Sequence, residues 1–136
     1  MDTRFKVAGL FLVSYLGLLS HLAIESMLLP FTKARMSDDE WQQLAEFMNA
    51  PGTEWIMALF MAICALPLLS SILAESRGSW KAVSVLGWTL SIIHAAHFSI
   101  ELTEHFGGLG VVSLLFVVVP SLFASAMAWR ISRTAA

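Results

Sequence analysis

Four apolar stretches, at about residues 7–29, 55–74, 82–103 and 109–129, take up most of this 136-residue chain. Each approaches the roughly 20 residues an α-helix needs to cross the hydrocarbon core of a bilayer. Four crossings would leave almost no chain for a separate soluble domain. Hydrophobic residues make up 57% of the sequence and charged residues 13%, with a mean hydropathy of +0.74. A soluble domain of this size has too little interior to hide so much apolar surface. The expected fold is all-α, an integral membrane up-down-up-down four-helix bundle forming one domain over residues 1–136. Arg4 and Lys6 resemble the positive n-region of a signal peptide. The run behind them is longer than an h-region and contains His21 and Glu25, so it reads as a retained helix.

Charge sets an expected orientation. Arg4, Lys6, Arg77, Lys81, Arg130 and Arg133 flank one side of the four stretches, while Asp38, Asp39, Glu40, Glu46 and Glu54 crowd the other. The excess of Lys and Arg places both termini and the Glu75–Lys81 connection in the cytoplasm of, most simply, a bacterial inner membrane. Lys33 and Arg35 run against this bias without reversing it. A net charge of −2 speaks against nucleic acid as a partner. The one cysteine, Cys64, excludes an intrachain disulfide and a thiolate-rich metal site.

The connection between the first two stretches has its own pattern. Ser37 followed by Glu40 is a capping box, Trp41, Leu44, Ala45 and Met48 follow at helical spacing, and Pro51-Gly52 ends the run. A short interfacial amphipathic helix is expected, as a plain connector or, in the less favoured reading, as a lid over the bundle mouth. Trp55, Trp80 and Trp129 are expected near the membrane interfaces and Trp88 deeper, in packing. Pro67 and Pro120 fall inside the second and fourth stretches, where they could free backbone carbonyls.

Two copies of one polar pattern interrupt the apolar runs. His21-Leu22-Ala23-Ile24-Glu25 and His97-Phe98-Ser99-Ile100-Glu101 each set a histidine one helical turn before a glutamate. Ser14, Gly17, His21 and Glu25 form one stripe; Gly87, Ser91, His94, His97 and Glu101, followed by Glu104 and His105, form another. Ionisable side chains inside a membrane are expensive and mark functional positions by default. Both stripes are therefore expected to face inward, with the two halves of the chain repeating a helix with His and Glu and then a helix with Pro. Imidazole and carboxylate ligands suit zinc, iron or manganese. The candidate ligands are His21, Glu25, His94, His97, Glu101 and His105, with Glu54 near the mouth. Glu25 and Glu101 are also the candidates for a general base.

Whether the chain is an enzyme stays open at this point. Metal-assisted hydrolysis, or oxidation at two irons, of a lipid-soluble substrate is one reading. A hydrogen-bonded network without metal is a second. A haem b electron carrier, with His21 and either His94 or His97 as axial ligands, is a third. A homo-oligomeric transporter and a non-catalytic subunit of a larger membrane complex are also open.

In its order of features the chain resembles the HXXEE-domain family of small bacterial membrane proteins. That family has an early His/Glu motif, a later histidine helix, and a Tyr-x-Pro-Gly motif before the last span. Here the early motif is His21 to Glu25, with one residue more and a single glutamate. The histidine helix carries His94 and His97, and Phe106-Gly107-Gly108-Leu109-Gly110 stands in place of the Pro-Gly motif. The resemblance implies a small helical membrane protein and brings no activity with it. In ligand spacing alone, the two His/Glu helices are also similar to the paired His/Asp helices of cation diffusion facilitators.

Overall fold

The computed structural model describes residues 2–34, 36–104 and 107–134, with the side chains of Thr32, Glu101, Thr103 and Glu104 outside that description. The chain forms α1 (Thr3–Lys33), α2 (Asp38–Asn49), α3 (Thr53–Leu73), α4 (Arg77–Glu104), α5 (Gly107–Ser113), a π-helical turn (Leu114–Val118) and α6 (Val119–Thr134). No strand occurs among the described residues. Four helical segments are long and apolar enough to cross a membrane: Thr3–Phe31, Thr53–Leu73, Arg77–Ile100 and Gly108–Thr134. The expected stretches 7–29 and 109–129 fall inside these segments, and 55–74 and 82–103 overrun theirs by one and three residues.

The capping box forms as its sequence requires. The Ser37 N–H donates to Glu40 Oε2 at 2.8 Å, and the Glu40 N–H donates to Ser37 Oγ at 3.3 Å. These bonds satisfy two amide groups that a helix start otherwise leaves unpaired. The run ends at Gly52, whose φ of 92° is left-handed and suits a residue without a Cβ. α2 buries none of its residues, packs against α3, and keeps Trp41 within 5.1 Å of the Lys33 ammonium at the end of α1.

α1 packs against α3 and against the α5–α6 rod, and α4 packs against the same two neighbours, so α1 and α4 lie across the bundle from each other. The interior is built mostly from small and polar residues. Ser14, Ser84, Ser91, Ser113, Ser121, Ser125 and Ser132 are buried, while Leu12, Leu16, Ile24, Ile72, Ile92 and Phe123 point outward. Within lipid, burial of apolar side chains gives helices little reason to associate. Close backbone approach and hydroxyl bonds to neighbouring helices do so instead.

The α4–α6 contact follows this logic. Ser84 Oγ donates to the Ser125 carbonyl at 2.9 Å, and the Ser91 and Ser121 hydroxyls lie 2.8 Å apart. Between them, a Cβ on Gly87 would run into Ser125 Oγ and come within 2.7 Å of Phe11 Cζ. Gly87→Val is therefore expected to cost about 1–3 kcal/mol by overpacking, read from detergent unfolding curves. An unchanged curve would mean that α4 and α6 pack less closely.

Trp80 is fully buried in the cluster of Val7, Phe11, Ala74, Val83, Ala124 and Ala128. α4 begins at Arg77, so Trp80 stands in its first turn, and Ala124 and Ala128 leave it room. Its indole N–H finds no acceptor among the described residues. Trp88, expected in packing, is exposed.

The π turn sets where α1 docks. Pro120 has no N–H, so the Phe116 carbonyl loses its usual donor one turn on, and the ring crowds that carbonyl. The helix widens there, and the Val119 N–H reaches back to the Leu114 carbonyl. α1 meets this segment through its small residues. Ser14 Oγ donates to the Val117 carbonyl at 2.7 Å, and a Cβ on Gly17 would lie only 2.8 Å from the Phe116 oxygen.

Candidate functional site

His21 is the centre of the polar constellation. It is 2% exposed, and its Nδ1 lies 2.7 Å from Ser113 Oγ, the only polar side chain in the run 109–120. In the tautomer where Nδ1 carries the proton and donates to Ser113, Nε2 presents its lone pair. Nε2 stands 3.7 Å from Glu25 Oε2, and the Glu25 side chain is 46% exposed. The His97 ring faces His21 from α4 with centroids 6.2 Å apart and planes at 80°. One buried imidazole is thus joined by a second imidazole and a carboxylate that both reach the surface.

His94 does not join this group. Its Nε2 lies 3.7 Å from Cys64 Sγ, its ring is edge-on to Phe60 at 6.3 Å, and it stacks on Phe98 at 5.9 Å. Phe98 is fully buried, and its other side meets His21 at 4.8 Å. The apolar ring stands between His21 and His94. The reason is helical phase. The buried face of α4 runs Ser84, Gly87, Ser91, His94, Phe98, and His97 sits about 100° from Phe98 around the axis. His97, expected on the buried stripe, is instead exposed. Glu101 lies one turn beyond His97, with its backbone alone described, and His105 lies outside the described residues. Glu54 is exposed in the first turn of α3.

Ligand geometry can be compared with these distances. Two ligand atoms about 2.1 Å from one tetrahedral metal sit about 3.4 Å apart; His21 Nε2 and Glu25 Oε2 are 3.7 Å apart. Two imidazoles on such a metal would have centroids about 5 Å apart, so the His21–His97 pair, at 6.2 Å, would have to close by about 1 Å. Among the described residues, no three His, Cys, Asp or Glu side chains already stand at metal-binding spacing. The donors present are nitrogen and oxygen, which suit zinc, iron or manganese. Ser113 holds His21 in the way an outer partner commonly orients a metal-bound histidine.

Two cavities adjoin the site. An interior void of about 10 Å³ below His94, lined in part by Ser14, Tyr15, Cys64 and Ser121, is close to the size of one water. A larger recess of about 360 Å³ lies on the flank between α1 and α5, with His21 and Ser113 among its lining residues.

Sequence reasoning missed Ser113, Phe98 and Cys64. Ser113 carried a usable signal, as a lone hydroxyl in an otherwise apolar run. Phe98 and Cys64 carried none, being ordinary residues for an apolar helix. No protein family, curated protein or solved structure matches this chain.

Proposed function

We propose that the chain is an integral membrane protein, crossing four times in an up-down-up-down bundle with both termini cytoplasmic, that binds a divalent metal between α1 and α4. The ligands are His21 Nε2, Glu25 and His97, with Glu101 as the fourth by its four-residue spacing from His97. Zinc and iron fit this donor set. The observation that carries the reading is the approach of His97 on α4 to His21, which already has Glu25 beside it on α1, from across the bundle. Pairing of His21 with Ser113, Gly17 with Phe116 and Ser14 with Val117, in opposite sequence order, supports antiparallel neighbours.

The exposed Glu25 and His97 leave the site reachable from outside the bundle, which suits turnover or exchange more than a sealed structural metal. A metal here would polarise a substrate carbonyl or lower the pKa of bound water, and a carboxylate not engaged as ligand would take the proton. The haem reading has less support. A porphyrin between His21 and His94 would have to displace Phe98, and the interior void is about 10 Å³.

Elemental analysis of detergent-purified protein, prepared without chelator, tests the proposal. Stoichiometric zinc or iron is expected in the native chain and none in the Glu25→Ala, Glu101→Ala double variant. Equal metal in both, or none in the native chain, would sink the metal reading and leave His21–Ser113 as a bond that holds helices together.

A further inference from the structure

We infer that the recess between α1 and α5 holds the hydrocarbon chain of a single-chain lipid, with a neutral hydrogen-bonding group at its end placed beside Ser20 and His21. This rests on the membrane reading above and names the substrate class for the His21 site, but it does not require the metal.

Shape is the first argument. On α1 the lining runs from Val13 to Ile24, a span of about 16 Å at 1.5 Å per residue. Gly17 contributes no side chain, so the floor there is the Phe116 backbone, and the recess becomes a trough along the helix. Its volume of about 360 Å³ lies at the small end of ligand sites and fits one chain better than a two-chain lipid.

The second argument is the placement of polarity. Val13, Leu16, Leu109, Val112 and Phe116 make the walls apolar, and among the described residues the polar side chains are Ser20, His21 and Ser113. Ser20 and His21 lie toward the Ile24 end of the trough, leaving the Val13–Leu16 end to hydrocarbon. The occupant therefore has one polar group near one terminus. Among the described residues, no charged side chain lines the trough. A phosphate or carboxylate head would find no counter-charge, whereas a hydroxyl or ester carbonyl would find hydrogen-bonding partners. Val13, Leu16, Val112 and Phe116 line the recess and are exposed, so the opening faces apolar surroundings and a ligand would enter sideways from the bilayer.

The test uses the full chain in phosphatidylcholine nanodiscs with a photoreactive probe, dodecanol bearing a mid-chain diazirine. Adducts should concentrate on the 13–24 and 109–116 segments and fall at least five-fold with excess unlabelled dodecanol. They should fall equally in Val112→Trp or Leu16→Trp, each of which fills the trough, with native helicity checked by circular dichroism. Labelling spread evenly over the outward Ile72 and Ile92 faces, without competition, would overturn the inference. So would a chain-to-chain adduct across the trough in place of probe, which would assign it to a second copy. Metal content measured on the same samples separates the two readings. Focused labelling without metal removes only the metal proposal; diffuse labelling with metal removes only this one.

Discussion

Trp80→Ala is expected to destabilise the bundle by about 3–5 kcal/mol, the usual cost of truncating a large buried aromatic. Trp80 is fully buried where α1, the end of α3, α4 and α6 converge, and Val7, Phe11, Ala74 and Ala128 surround it. Ala74, Ala124 and Ala128 have no side-chain reach with which to refill the void. Trp80→Phe should cost much less, about 1–1.5 kcal/mol, because the indole N–H makes no hydrogen bond among the described residues. Reversible unfolding in mixed micelles reads both values. A loss under about 1 kcal/mol for Trp80→Ala would mean that this end of the bundle is loosely packed.

Phe98→Ala is expected to be as costly, again about 3–5 kcal/mol, and to have a second consequence. The ring is fully buried and touches three histidines, with centroids 4.8 Å from His21, 5.9 Å from His94 and 5.3 Å from His97. Its removal would join the space around His94 to that around His21. Phe98→Leu, which keeps most of the volume, should cost about 1–1.5 kcal/mol and keep the two separate. If the alanine variant binds metal with His94 as an added ligand while the leucine variant does not, Phe98 is what keeps His94 out of the native site. Native-like stability in Phe98→Ala would contradict the packing described here.

Much of the architecture was legible because its signals are coarse. A run of apolar residues about 20 long marks a membrane-length helix without reference to its neighbours, and the Ser37–Glu40 capping box is a local device that needs no tertiary partner. The His21 and Glu25 pair was legible for the same reason, since four residues on a helix stay on one face. What the sequence hid was the rotation of each helix. With leucine, valine and isoleucine on every side, no apolar stripe points inward, and the guide is where small residues lie. On α4 that guide is Ser84, Gly87 and Ser91, and it leads to His94 and Phe98. The expected stripe held Gly87, Ser91 and His94 but then followed the histidines to His97, one residue short of the buried Phe98. The π turn shifts the register of the last helix so that Ser113 meets α1, and only Pro120 hinted at it. The burial of Trp80 was hidden because it depends on where α4 starts and on alanines more than 40 positions away.

The ligand set is the central claim, and X-ray absorption at the metal edge reads it most directly. The account predicts a nitrogen and oxygen shell with two imidazoles, no sulfur, loss of one imidazole in His97→Ala, and an unchanged spectrum in His94→Ala. A sulfur scatterer from Cys64, or a site that survives His97→Ala and is lost in His94→Ala, would contradict it. Either result would move the chemistry to the other side of Phe98.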